Sequence, residues 1–361
     1  MLDADDSSTG TVCDVGYMQG FACRIRAPHS NLSRALDNFE IHPASLPRGH
    51  ITLDQCAAVA DFPPLGCEPY LRLAQNRECQ AQGFNYYRYG VLARTIWRTT
   101  SHVFNVRSRT FRDEVSILEC FRDLYLQESV SSSLALVHGS LVQVSGVGVL
   151  ITGACRAGKT TLVIRLLSET RGAILIADGL CLLGRAADGV VGQYIPRRMY
   201  VRFGTVFDCE QLRHLGHHPC DCNATQVLDS STIRRIMQNE SRNVDLSLTM
   251  TRRAFVNALG SASSPSTLIG HVVVLEYCDG SNASLERLSP FATEAALRRH
   301  EFPKHPRFGR IERQPEVRPP SRSAIGCHWL RGIGGTLLRH GGWQTISRAV
   351  LEDLLSRCRH N

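Results

Sequence analysis

The chain has 361 residues, 43% of them hydrophobic, enough for a sizeable core and more naturally two domains than one. A formal net charge of +8 and a pI near 8.9 favour anionic partners. No apolar run approaches the roughly 18 residues of a spanning helix, and the polar, acidic start does not read as an export signal. Fourteen scattered cysteines fit reduced thiols better than a disulfide scaffold. The expectation is a soluble, cytoplasmic protein, not a membrane one. No finger spacing, aromatic RNA-binding signature or repeat marks nucleic acid as the partner.

Residues 1–125 read as a smaller N-terminal α/β or α+β domain of unassigned role, its long periods broken by turn clusters such as His42-Pro43 and Phe62-Pro63-Pro64. From Phe111 to Val130, Val115, Leu118, Phe121 and Leu124 recur three apart and predict an amphipathic helix leading into the domain at 126–361. Leu134 to Gly153 reads as two apolar strands joined at Ser145-Gly146-Val147-Gly148. Leu162, Leu166 and Leu167 place a helix over Thr160–Ser168, and Ala173–Asp178 is a short apolar strand ending in a carboxylate. Residues 301–323 are rich in Pro and Arg and read as an exposed excursion. Ile346, Val350 and Leu354, four apart, predict a final helix.

The chemistry concentrates in Gly153-Ala154-Cys155-Arg156-Ala157-Gly158-Lys159-Thr160-Thr161, which matches the phosphate-loop pattern between a strand and a helix. Glycines let backbone N–H groups converge on phosphate oxygens at the positive end of the helix. Lys159 is the expected partner of the terminal phosphates of ATP, and the Thr160 hydroxyl a Mg²⁺ ligand. Asp178, only 18 residues beyond Thr160, is the expected second Mg²⁺ ligand.

His138-Gly139, the glycine turn, the loop and Ile176-Ala177-Asp178 together resemble the catalytic domain of the HPr kinase/phosphorylase family, which shares its fold with phosphoenolpyruvate carboxykinases. Tyr200 to Asp208 is similar to that family's segment after the carboxylate strand. The resemblance covers Leu134 to Asp208. It implies an α/β nucleotide-binding fold of that type, with a Mg-ATP-dependent kinase activity. Gly153, Gly158 and Lys159 would cradle the triphosphate, and His138 would stand near the transferred group, with Lys159 and Asp178 as its catalytic companions. The family has a second carboxylate after the first, whereas here Gly179 follows Asp178. The residue expected to take a proton from the acceptor hydroxyl is absent. Two functions stay open: phosphorylation of a hydroxyl on a protein, peptide or small molecule, and a nucleotide-binding switch with weakened catalysis. Self-association stays open as well.

Other groups are weaker signals. Cys209, His214, His217, His218, Cys220 and Cys222 could hold zinc, but their spacing is not that of a finger, and a polar loop carrying thiols is the favoured alternative. Arg197 and Arg198 suit bidentate phosphate binding, or are a surface pair. Asp188 and Asp208 could replace the missing carboxylate, with no spacing to select either. Gly332, Gly334 and Gly335 read as a flexible turn or a second anion loop before a helix.

Overall fold

In the computed structural model, the residues described are the strands at 11–16, 22–27, 50–55, 72–73, 94–100, 103–108 and 311–312, and then 134–217 (without 196), 247–301, 325, 329 and 333–359. The expected helix over 111–130 lies outside them, as do most of the Pro/Arg-rich excursion and Cys220 and Cys222. The chain divides into two units, 1–129 with 304–321, and 130–303 with 322–361. No helix among the described residues is long and apolar enough to cross a membrane.

In the first unit, β1 (Thr11–Gly16), β2 (Ala22–Ala27), β3 (His50–Gln55), β5 (Arg94–Thr100) and β6 (Val103–Ser108) form a sheet in the order β1-β2-β3-β6-β5. Its inner pairs β2–β3 and β3–β6 run parallel, and the outer pairs are antiparallel hairpin neighbours. The short β4 (Arg72–Leu73) stands apart from this sheet.

The second unit is built on a ten-stranded sheet. Three strands open it: β7 (Ala135–Val137), β8 (Gly139–Val144) and β9 (Val147–Gly153). The predicted first strand is thus two, broken at His138, while the predicted turn at Ser145-Gly146 is present, with both residues at positive φ. Helix α1 (Lys159–Glu169) and β10 (Ile174–Ala177) follow as the apolar pattern predicts. An unpredicted hairpin, β11 (Cys181–Ala186) and β12 (Gly189–Gln193), comes next, with Asp188 in its turn. After β13 (Met199–Arg202) come two helices, α2 (Phe203–Asp208) and α3 (Glu210–His217). Then come β14 (Ser247–Met250), α4 (Arg252–Ala258), β15 (Ala262–Ser263), the twelve-residue β16 (Ser266–Tyr277), β17 (Ser284–Leu288) and α5 (Pro290–His300). Strand β18 (Ile311–Glu312) belongs to the first unit, where it pairs with β4. The chain ends on β19 (Gly334–His340) and α6 (Arg348–Arg359), the latter carrying the predicted Val350 and Leu354. Gly334 and Gly335 therefore open a strand and not a turn or anion loop before a helix. Gly335 is needed for close packing, since a Cβ there would stand 2.0 Å from Thr293 Oγ1.

Alternation sorts the apolar residues onto two faces, as the two-residue period of a strand requires. Val149 and Ile151 of β9 and Val273 and Leu275 of β16 face one cluster with Leu162, Leu166 and Leu167 of α1. Leu150 of β9 and Val272 of β16 face a second cluster with Leu297 of α5 and Trp329. Full burial of each such side chain contributes about 1.5–3 kcal/mol. Strand β16 is the axis: it runs parallel to β9 on one side and to β19 on the other, and its first residues pair with β12.

One buried group makes this core sensitive to acid. His271 is 1% exposed, and its Nε2 lies 3.0 Å from Thr336 Oγ1. Burial first, then the positive charges of Arg357 and Arg287, push its pKa from 6.5 to about 4. A depressed histidine pKa favours the neutral form, so its contribution is complete above pH 6.5 and is lost as pH falls towards 4, where the unfolded chain binds the extra proton. The loss is about 2–3 kcal/mol. Urea unfolding at pH 7 and pH 4.5 should show a smaller acid-induced drop for His271→Gln than for the unchanged chain. An equal drop would remove His271 as the cause.

Candidate active site

The site lies where the sheet bends. Val137 is paired with Cys181 and Leu141 with Ala177, so the three residues His138–Ser140 stand opposite the three residues Asp178–Leu180. The first stretch breaks at His138 and the second over Asp178–Leu180, and side chains 38 positions apart come into contact there. Ser140 Oγ, fully buried, donates to Asp178 Oδ1 at 2.5 Å, and the N–H of Gly179 lies 3.4 Å from the same Oγ. From the other direction the Thr160 hydroxyl lies 3.1 and 3.0 Å from the two Asp178 oxygens. A buried carboxylate is thereby supplied with hydroxyl donors from β8 and α1, as burial of a charge demands.

Strand β9 delivers the chain into the loop and α1 takes it away. Gly158 caps α1 in the left-handed conformation (φ 87°) and no side chain caps the helix, so the first N–H groups of α1 are left to other acceptors. Lys159 is 7% exposed and folds back into the loop, its Nζ donating to Gly153 O at 3.0 Å and Ala154 O at 2.8 Å. Burial pushes the ammonium pKa below its usual range, while neighbouring Cys155 and Asp178 pull it back up. Ala154, Cys155 and Arg156 form the exposed crest, with Arg156 at φ 70°. Ala157 is buried, and its carbonyl accepts from His340 Nε2 at 3.0 Å, which fixes the proton of that imidazole on Nε2. Thr161 turns away from Asp178: its Oγ1 lies 3.1 Å from Thr205 Oγ1, at a cavity of about 190 Å³ between α1 and the α2–α3 corner, with Asp208 on the rim.

His138 is half-buried, and its backbone is tied on both sides. Its N–H donates to His300 O at 2.9 Å, and its C=O accepts from Thr152 Oγ1 at 3.1 Å. His300, at the end of α5, carries no motif in the sequence that marks it as a site residue. Burial lowers its pKa, and the charge of Lys159 acts in the same direction. Ser140, His300 and His340 are all additions to the expected site: Ser140 comes on β8, His340 on β19 and His300 at the end of α5. Of the Cys/His group, Cys209 donates to Gln211 Oε1 at 3.2 Å, and His214 and His217 fall in α3. Among the described residues no three or more His, Cys, Asp or Glu cluster together.

No model of a known protein family matches the chain. Over 74 residues, 20% of the chain, it is 39% identical to HPr kinase/phosphorylase from Bordetella pertussis, and equally to those of Bordetella parapertussis and Bordetella bronchiseptica. The matched stretch spans 23% of the length of those relatives. Among solved structures, the HPr(Ser) kinase/phosphatase from Coxiella burnetii aligns with 62% of this chain and 89% of its own, at 12% identity and a TM-score of 0.28. The sequence match bears out the resemblance carried by the His-Gly pair, the glycine loop and the carboxylate strand: the chain carries an HPr kinase-like domain.

Proposed function

We propose that the chain is an ATP-dependent phosphotransferase of the HPr kinase type, acting in the cytoplasm on a hydroxyl of a protein, peptide or small molecule. The nucleotide-binding domain is assigned to 126–361 and residues 1–125 are left without a role. The observation that carries the proposal is the convergence of the Thr160 and Ser140 hydroxyls on Asp178 at the base of a loop that encloses the Lys159 ammonium. Hydroxyl and carboxylate are hard oxygen donors and fit magnesium, with Thr160 and Asp178 as the residues that would hold it. When bound, the ion would neutralise charge on the phosphates. The loop from Gly153 to Thr161 would take the phosphates of ATP through backbone N–H groups, with Lys159 exchanging its two carbonyl partners for phosphate oxygens. The ammonium is the charged donor in both cases, but a phosphate oxygen adds an opposite charge that a backbone carbonyl lacks. His138 would stand at the acceptor side, one strand away from Thr152.

Gly179 favours keeping a second reading beside the first, a nucleotide-dependent switch. It leaves no carboxylate next to Asp178 to accept the acceptor's proton. Phosphoryl transfer relies mainly on positioning and electrostatics, so this loss need not abolish it. The two readings separate on turnover. Purified protein supplied with γ-labelled ATP and a cell extract should consume ATP and transfer the label to an acceptor. Tight ATP binding with neither outcome would end the kinase reading and leave the switch.

A further inference from the structure

Gly179 does more than omit a carboxylate. Its φ of +76° lies in the left-handed region, and a Cβ built on it would stand 2.9 Å from Arg197 Nη1, 3.3 Å from Cζ and 3.5 Å from Nη2. The outer end of the guanidinium thus lies against the peptide that follows Asp178, in the space a second acidic side chain would begin to fill.

Arg197 is held there by its surroundings. The buried Tyr194 hydroxyl accepts from the Arg197 N–H at 2.9 Å and donates to its C=O at 3.1 Å, fixing the backbone at both ends. Tyr194 is in turn locked by the Arg252 guanidinium, 3.8 Å over its ring. Arg252 is bonded to Leu175 O and Ile176 O of β10, the strand that leads into Asp178. The Arg197 guanidinium itself lies 5.4 Å from the centre of the Tyr200 ring. The backbone of Arg197 is therefore tied to β10 through Tyr194 and Arg252, and its guanidinium lies beside Gly179, the residue after Asp178.

We propose that Arg197 makes the acceptor side of Asp178 a subsite for an oxyanion, a carboxylate or phosphate monoester borne by a small acceptor molecule. Calling that molecule the acceptor rests on the phosphotransferase proposal; the subsite itself does not. A guanidinium is protonated at any physiological pH, so Arg197 cannot replace a carboxylate as proton acceptor. It can bind and orient a planar anion through its fork. Arg197 is thus a specificity-determining residue, selecting an acidic acceptor where a carboxylate at the same place would repel one.

The test is calorimetric titration of inorganic phosphate, and separately of malonate, into the full chain saturated with Mg-ADP. Saturable binding is expected for one or both probes, and which one distinguishes phosphate from carboxylate. Arg197→Gln should weaken it at least 10-fold, with Arg197→Lys intermediate and Mg-ADP affinity unchanged in both. Equal anion affinity in Arg197→Gln and the unchanged chain, or no saturable binding of either probe, overturns the subsite. If Mg-ADP does not bind at all, the phosphotransferase proposal falls alone. The same titrations compared between Lys159→Ala and a Lys159→Ala, Arg197→Gln double variant then still report on Arg197. The Tyr194 bonds are to backbone atoms and survive either substitution; Arg197→Met serves if Arg197→Gln does not fold.

Discussion

Replacing Lys159 by alanine is expected to weaken Mg-ATP binding by at least about 100-fold, or about 2.7 kcal/mol, while leaving the chain folded. The ammonium is buried inside the loop and supplies two bonds, to Gly153 O and Ala154 O. In the nucleotide-bound state it would be the positive charge enclosed with the terminal phosphates, and its removal leaves a desolvated anion without its counter-charge. Losing one member of such a pair costs about 3–5 kcal/mol. The free protein suffers less, because the Ala154 peptide lies at the exposed crest where water can take over. Titration with a non-hydrolysable ATP analogue, alongside thermal unfolding, checks both halves. Binding retained within threefold would show that Lys159 does not face the phosphates.

The second large effect is structural. Gly148→Ala should destabilise the second unit by about 3 kcal/mol or more, since overpacking of this kind forces the backbone itself to move. A Cβ at Gly148 would stand 2.2 Å from Leu268 O and 2.7 Å from Thr267 Cγ2. The obstacle is a main-chain carbonyl, so no rotamer change relieves it. It falls where β9 and β16 meet and where their register shifts between Ile269 and His271. Urea unfolding would measure the loss. A stability change under 1 kcal/mol would mean that the two strands part there easily, contrary to their central place in the sheet.

What could be read from the sequence was what is local. The run from Val147 to Leu167 announces strand, loop and helix because apolar alternation, glycine spacing and helical period follow one another without interruption. Asp178 was found because an apolar run ends on it. The rest of the site depends on pairing. Nothing near Ser140 in sequence suggests a carboxylate partner; the contact exists because Val137–Leu141 and Ala177–Cys181 are in register around a shared bend. His340 reaches Ala157 across 183 positions. The sequence shows Arg197 as one of a charged pair, but not its place against Gly179, where Tyr194 and Arg252 hold its backbone. The hairpin of β11 and β12 was missed because Gly184, Gly189 and Gly192 interrupt its apolar pattern. Two of these glycines lie close under leucine side chains: a Cβ at Gly192 would meet Leu141 Cδ2 at 2.3 Å, and one at Gly184 would meet Leu134 Cδ2 at 2.6 Å.

The position of β16 between β9 and β19 has a consequence for how the protein is made. Gly153 leaves the ribosome long before Leu275, its neighbour in the sheet, and before His340, whose imidazole supports the Ala157 carbonyl. The antiparallel β8–β9 hairpin can form at once, but the parallel pairings must wait for more than a hundred further residues, and such distant contacts close slowly. Within the second unit the loop is therefore among the first parts to be synthesised and among the last to acquire its final support. Nascent chains halted before Gly334 should expose the edge of β16 that β19 later covers, the condition under which an unpaired strand recruits the wrong partner.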